Sequence, residues 1–167
     1  MKGVGFQLAS PSRGSGGKMP LVFERKLAAG YAESQGALVV VNGSNEIAAC
    51  AADAQTIAGV ALGPGGTDSS GFNILGSKEF PPGYLQAISL EDATFLAPYV
   101  GALGAVGTSY GFVRDADGVY KVDFNEVATV CLKYLGLPQR SPADANGSGQ
   151  NQLVLVKFLA AVIQPVA

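Results

Sequence analysis

Asp115, Asp117 and Asp123, with Glu126 just beyond, form the densest run of carboxylates in the chain. Asp-x-Asp-Gly opens a calcium loop, which needs a third ligand at position five and an acid at position twelve. Those positions hold Val119 and Glu126. Val119 offers only a backbone carbonyl, and the flanks are strand-like, so Asp115–Gly118 reads as turn chemistry. Glu91-Asp92 is an adjacent carboxylate pair. A glycoside-cleaving pair must face one cleft, whereas neighbours on a strand point to opposite faces. This pair reads as a solvated tight turn. "GPGGTDSSG" is glycine-rich but lacks the Lys-Ser/Thr that would open a phosphate-binding helix. Asn42-Gly43-Ser44 and Asn146-Gly147-Ser148 match a glycosylation acceptor and equally suit turns at loop tips. Cys50 and Cys131 sit in apolar runs and read as buried small hydrophobes; a bridge between them would point to export.

The sequence contains no His. That excludes Ser-His and Cys-His nucleophile systems and His-based zinc sites. Carboxylate or Tyr chemistry in a β-barrel pocket is the remaining enzyme alternative. The expectation is that the protein is not an enzyme, has no catalytic residues and uses no cofactor or metal.

The elements around these residues are short strands. "ALVVV" and "NEIAAC" flank Asn42-Gly43, a strong hairpin signal. In "SYGFVRDADGVYKVDF", Tyr120, Val122 and Phe124 alternate with Lys121 and Asp123, Tyr110 and Phe112 supply the facing side, and Asp117-Gly118 turns the chain. "PLVFERKL", "QTIAGVAL", "YLQAISL", "ATFLAPYV" and "ATVCLKYL" are further strand candidates. "LVLVKFLAAVI" is nearly continuous in apolar residues and suggests a strand covered on both faces. Residues 28–35, ending at Gly36, are the best helical candidate. Roughly nine or ten strands at this spacing predict an all-β fold: a single compact β-sandwich or barrel of short antiparallel strands with an extended N-terminal arm.

The chain has 167 residues, enough to bury one core without staples. Only 14% of them are charged, against the usual ~25%, so other chains are expected to cover part of the surface. Residues 1–26 carry five basic residues against Glu24 alone, a charge of +4, and the remainder carries −6. Residues 1–24 are therefore expected to be a Gly/Ser-rich basic arm that reaches an acidic surface, and 25–167 the β domain. Five charges beside an acidic body make a poor nucleic-acid footprint. No apolar run reaches the ~18 residues of a membrane helix, and the start lacks the apolar segment of a secretory signal. Neither nucleic acid nor membrane is an expected partner, and synthesis in a cytoplasm is expected.

Residues 25–62, "RKLAAGYAESQGALVVVNGSNEIAACAADAQTIAGVAL", resemble the opening of tailed-phage capsid decoration (head-stabilising, cement) proteins. The matching positions are Gly36 to Val41, Asn42-Gly43, Ala51 to Ala54 and Ile57 to Leu62. Val106-Gly107, Tyr110, Tyr120 to Asp123 and the terminal "LVLVKFL" fit the same pattern. The resemblance spans residues 25–160 and omits the arm and "SPADANGSGQNQ". It implies a structural virion protein on the outer capsid surface, made in a host cytoplasm. Such a protein is often a homotrimer, and it stabilises the mature shell by bridging major capsid protein subunits. The alternatives are a phage tail, fibre or other surface-display module. Phe6, Leu8, Arg13 and Lys18 are the candidate contacts, placed on an arm that clamps a neighbour. Deleting residues 1–19 is then expected to weaken attachment and leave the body folded.

Overall fold

The computed structural model describes residues 4–11, 20–63, 83–138 and 153–166. Two sheets pack face to face as an all-β sandwich. The strands are β1 (Gln7–Pro11), β2 (Val22–Lys26), β3 (Leu38–Val41), β4 (Ile47–Ala49), β5 (Gly59–Ala61) and β6 (Tyr84–Ser89). They continue with β7 (Ala93–Ala97), β8 (Tyr99–Val100), β9 (Ser109–Arg114), β10 (Tyr120–Asp123), β11 (Leu132–Gly136) and β12 (Val154–Phe158). Among the described residues the only helical piece is a 3-10 turn, Ala160–Val162. One sheet has the order β1-β7-β12-β11-β9-β10-β8, the other β2-β6-β5-β3-β4. All pairings are antiparallel except β8 with β10.

Phe6, Phe95, Phe158, Leu38, Ile57, Leu90 and Leu132 fill the space between the sheets. Phe158 lies 5.5 Å from the Phe6 ring and 5.7 Å, edge-on, from Phe95. Tyr120 donates its hydroxyl to the Cys50 carbonyl at 3.0 Å and so satisfies a buried polar group.

The five-stranded sheet curls strongly. Its edges are β2 and β4, yet Leu27 forms a parallel bridge to Ile47, and the Ala28 N–H donates to the Ile47 carbonyl at 2.8 Å. One bridge brings the edges together without closing a barrel, so of the two expected architectures the sandwich is the one formed. At β3's end the Gln164 side-chain amide accepts from the Val41 N–H and donates to its carbonyl, both at 2.8 Å, satisfying groups that the ladder leaves open.

Both expected hairpins form, with turn centres that differ in detail. In β3–β4 the Asn42 side chain accepts from the amides of Ser44 and Glu46. The left-handed residue is Asn45, at φ 61, rather than Gly43. In β9–β10 the Asp115 carboxylate accepts from the amides of Asp117 and Val119 and meets the Lys121 ammonium at 2.7 Å. Burial works to raise the Asp115 carboxyl. The Lys121 ammonium and the two amides outweigh it and hold the group below its ordinary 3.8. Ionised Asp115 therefore adds stability above that value, and the contribution is lost as pH falls through the lower folded value. Asp115→Asn keeps an oxygen for the turn, so its cost near neutrality is expected to stay under about 1 kcal/mol. It should flatten the acid limb of the stability curve below about pH 4. Urea melts across that range check it, and an unaltered acid limb would count against the assignment.

Four expectations are corrected. Residues 28–35 are turns and loop, because Gly30 and Gly36 take φ of 78° and 81°, outside helical space. "ATFLAPYV" is broken at Pro98, which has no N–H for a ladder: β7 pairs with β1 and β12, while β8 moves to the far edge beside β10. The terminal apolar run ends as a strand at Phe158 and is buried on one face only, with Lys157 exposed on the other. The fourth concerns the arm expected over residues 1–24, whose described strands belong to the sandwich. β1 lies in the seven-stranded sheet with Gln7 opposite Leu96 and Leu8 opposite Phe95, and β2 already begins at Val22.

Candidate functional site

The candidate contact residues divide three ways. Phe6 is 1% exposed, inside the core of its own chain. It enters through two backbone bonds, from the Gly5 N–H to the Gln35 carbonyl at 3.2 Å and from the Phe6 N–H to the Gly36 carbonyl at 2.9 Å. A ring so buried has no free surface for a partner, and its role as an arm contact is replaced by a core role. Leu8 is half-buried against that core and faces a groove. Arg13 and Lys18 lie outside the described residues.

The groove runs between β1 and the β2–β6–β5 part of the other sheet, with a volume of about 360 Å³. Phe6 and Leu8 form one wall, and Val22, Ile88, Val60 and Leu62 form the other. The latter group follows from register: Val22 stands opposite Ile88, and Ile88 opposite Val60. The amides of Gln7 and Gln35 are its polar side-chain groups. It can hold an apolar side chain, and among the described residues its lining supplies no acid, base or nucleophile.

The second feature is one end of the sandwich. Residues 101–107, "GALGAVG", link β8 to β9 without a charge. Leu103 is 43% and Val106 66% exposed. Exposed apolar loops are normally loose, and this one is tied down. Tyr110 accepts the Ala105 N–H at 3.0 Å on its hydroxyl, the Gly107 N–H donates to the Tyr134 carbonyl at 2.8 Å, and the Tyr134 N–H donates to the Thr108 carbonyl at 3.0 Å. Beneath it the rings of Tyr99, Tyr110 and Tyr134 each pack edge-on against Phe124, 4.9–5.4 Å away.

A neighbouring loop adds Val127. The chain leaves β10 opposite Gly111 and must begin β11 opposite Tyr110, on the other side of β9. It crosses over β9 at Gly111, where a methyl group would meet the Glu126 side chain and lie 2.9 Å from the Thr129 carbonyl oxygen. The Glu126 carboxylate fastens the crossing by accepting from the amides of Ala128 and Thr129, both at 2.7 Å. These two bonds hold the carboxyl below its ordinary value. Val127 projects at 66% exposure, and Leu137, after β11, at 39%. The two loops touch where Gly101 meets Asn125, and Val106 abuts Gly136. The sequence reading missed this surface. Its one signal is a stretch of small and apolar residues with no charge between two strands.

Other reactive groups among the described residues are paired or buried. Arg114 binds Glu33 through two nitrogens at 2.8 and 3.1 Å. Burial pushes the Tyr31 phenol up, with Tyr120, Glu33 and Cys50 adding to it. Cys50 and Cys131 are free and buried. The Cys50 thiol points to the Thr56 carbonyl at 3.9 Å. Burial pushes Cys50 up to about 12, with Cys131 adding, and pushes Cys131 up to about 12, with Asp53 adding. Because the thiolate is the reactive form, neither thiol is expected to react with Ellman's reagent near pH 8 while the chain is folded, and both should react once it is unfolded in guanidinium. A folded chain that titrates at either Cys would contradict the packing described. Among the described residues no group of three His, Cys, Asp or Glu side chains is placed to hold a metal, and no helix is long and apolar enough to cross a membrane.

No protein-family model, no curated protein and no solved structure matches the chain.

Proposed function

We propose that the chain is a structural virion protein that binds the outer surface of a phage capsid and stabilises the mature shell by bridging major capsid protein subunits. The observation that carries this reading is the apolar end built from Leu103, Val106, Val127 and Leu137, held in place by hydrogen-bonded loops over a stack of aromatic rings. A surface of this kind is ordered before it meets a partner, so association does not have to order it. It presents apolar area without the charged residues that interface centres usually exclude.

The positions that resemble decoration proteins fall on coherent elements, which supports the reading. Gly36 to Val41 leads into β3, Ile57 to Leu62 runs through β5, and Tyr120 to Asp123 is β10. The apolar end meets the shell in this proposal. Three copies around a local three-fold axis each contribute a weak contact, and linkage multiplies them through effective concentration. A ligand that binds only the expanded lattice stabilises that lattice by mass action. Any clamp role falls to the stretch that contains Arg13 and Lys18, since Phe6 is spent on the core.

Co-sedimentation with mature capsids stripped of decoration tests the proposal. Saturable binding at a fixed ratio to capsid subunits is expected, and Val106→Asp combined with Val127→Asp should abolish it while leaving the melting midpoint in place. Failure of the unaltered chain to bind any expanded shell would overturn the proposal and favour a tail or fibre module.

A further inference from the structure

Strand register places Lys133 of β11 directly opposite Lys157 of β12. Both are exposed, on the face of the seven-stranded sheet that points away from the core. Like charges directly opposite on neighbouring strands repel and weaken the sheet. Three other cations of the described residues meet anions: Lys26 meets Glu46, Arg114 meets Glu33 and Lys121 meets Asp115. No such ion pair reaches Lys133 or Lys157 among the described residues. The carboxylates of Asp123 and Glu126 accept turn amides, Asp123 from Asn125 and Glu126 from Ala128 and Thr129.

An acidic chain thus places two ammonium groups side by side, with no ion pair from the described residues, at a point where opposite charges would strengthen the fold. The surroundings are apolar: Leu96 and Leu155 stand opposite one another beside the lysines and are half-buried. We infer that the outer face of the seven-stranded sheet, centred on Lys133 and Lys157, docks an acidic protein segment whose carboxylates sit over the lysine pair and whose apolar side chains meet Leu96 and Leu155. Charge complementarity selects this partner. The repulsion that weakens the free chain becomes attraction in the complex, and long-range steering speeds the encounter. Two lysines on a body of charge −6 are too few for the phosphate neutralisation that nucleic acid demands. The inference is independent of the shell reading, because it concerns a different surface and any carboxylate-bearing protein satisfies it.

The test uses the full chain and a short peptide alternating glutamate and leucine, with its glutamine-leucine counterpart and a short single-stranded DNA as comparators. The acidic peptide is expected to bind saturably and to shift the backbone resonances of Lys133, Lys157, Leu96 and Leu155. Lys133→Glu with Lys157→Glu should weaken it by about tenfold or more. Lys133→Glu alone should raise the melting midpoint, since it turns a repelling pair into an attracting one, and the double variant, which restores a like-charged pair, should melt near the midpoint of the unaltered chain. A midpoint that falls instead would remove the premise. Equal binding of the acidic peptide by the double variant, equal binding of the glutamine peptide, or tighter binding of the DNA would each overturn the inference. So would self-association of the unaltered chain that disappears in the double variant, because the occupant would then be a second copy.

Discussion

Replacing Phe6 with alanine is expected to lower the unfolding free energy by about 3–5 kcal/mol, the range for truncating a large aromatic side chain in a packed core. Its ring is 1% exposed and lies against Phe158, which in turn meets Phe95 edge-on. The loss has two parts: transfer of the ring out of an apolar site, and a cavity that β1 and β12 cannot collapse while their ladders with β7 hold. Leu8→Ala should cost less, because Leu8 is half-buried beside a groove that already opens to one side. Urea denaturation of both variants measures the contrast. A Phe6→Ala midpoint equal to that of the unaltered chain would mean that residues 5–11 do not dock on their own body. The same packing reverses the expected effect of deleting residues 1–19. That deletion removes Phe6 and the edge strand β1, so it should destabilise the body rather than leave it folded.

The parts of this fold that could be read from the sequence are those with a strong local rule. The β9–β10 hairpin combines period-two alternation with Asp-Gly, and β3–β4 flanks an Asn-Gly, so both appear where expected. What stayed hidden depends on tertiary contact. In "GFQLASP" only Phe6 and Leu8 are large and apolar, too few to mark a strand among glycine and serine. β1 exists because Phe6 finds a place beside Phe158. The helix-like "AAGYAESQ" loses to Gly30 and Gly36, whose left-handed backbone directs the loop toward β3. Pro98 could be read as a ladder breaker, but the destination of β8 could not. Gly111 carries no signal of its own between Tyr110 and Phe112, and it is the point over which the chain crosses. The surfaces were least legible. Lys133 and Lys157 are distant in sequence, and only register makes them neighbours. The apolar end likewise needs two loops brought together by the crossing at Gly111.

Gly36→Ala is expected to cost about 3 kcal/mol, from left-handed strain together with overpacking. Gly36 has φ 81°, a region in which a side chain crowds its own backbone. A methyl group there would also lie 2.6 Å from the Phe6 carbonyl oxygen and 2.8 Å from Gly5 backbone atoms. These contacts are backbone, so no side chain can rotate away. Gly36 sits where the entry to β1 meets β5. Its carbonyl accepts the Phe6 N–H, and its own N–H donates to the Ala61 carbonyl at 2.9 Å. Gly30 isolates the first contribution. It has a similar φ of 78° but open space where a methyl group would go. Gly30→Ala should therefore cost only about 1 kcal/mol, the conformational part alone. The difference between the two variants measures how rigidly the chain start is held. Gly5→Ala meets the same obstacle from the other side, with its methyl group 2.5 Å from the Gly36 carbonyl oxygen. Once either substitution has pushed β1 off, the other has little left to disturb, so the double variant should cost clearly less than the two singles added. Equal losses at Gly30 and Gly36, or full additivity of Gly5 and Gly36, would show that β1 gives way without strain and that the start of the chain is only loosely seated on the sandwich.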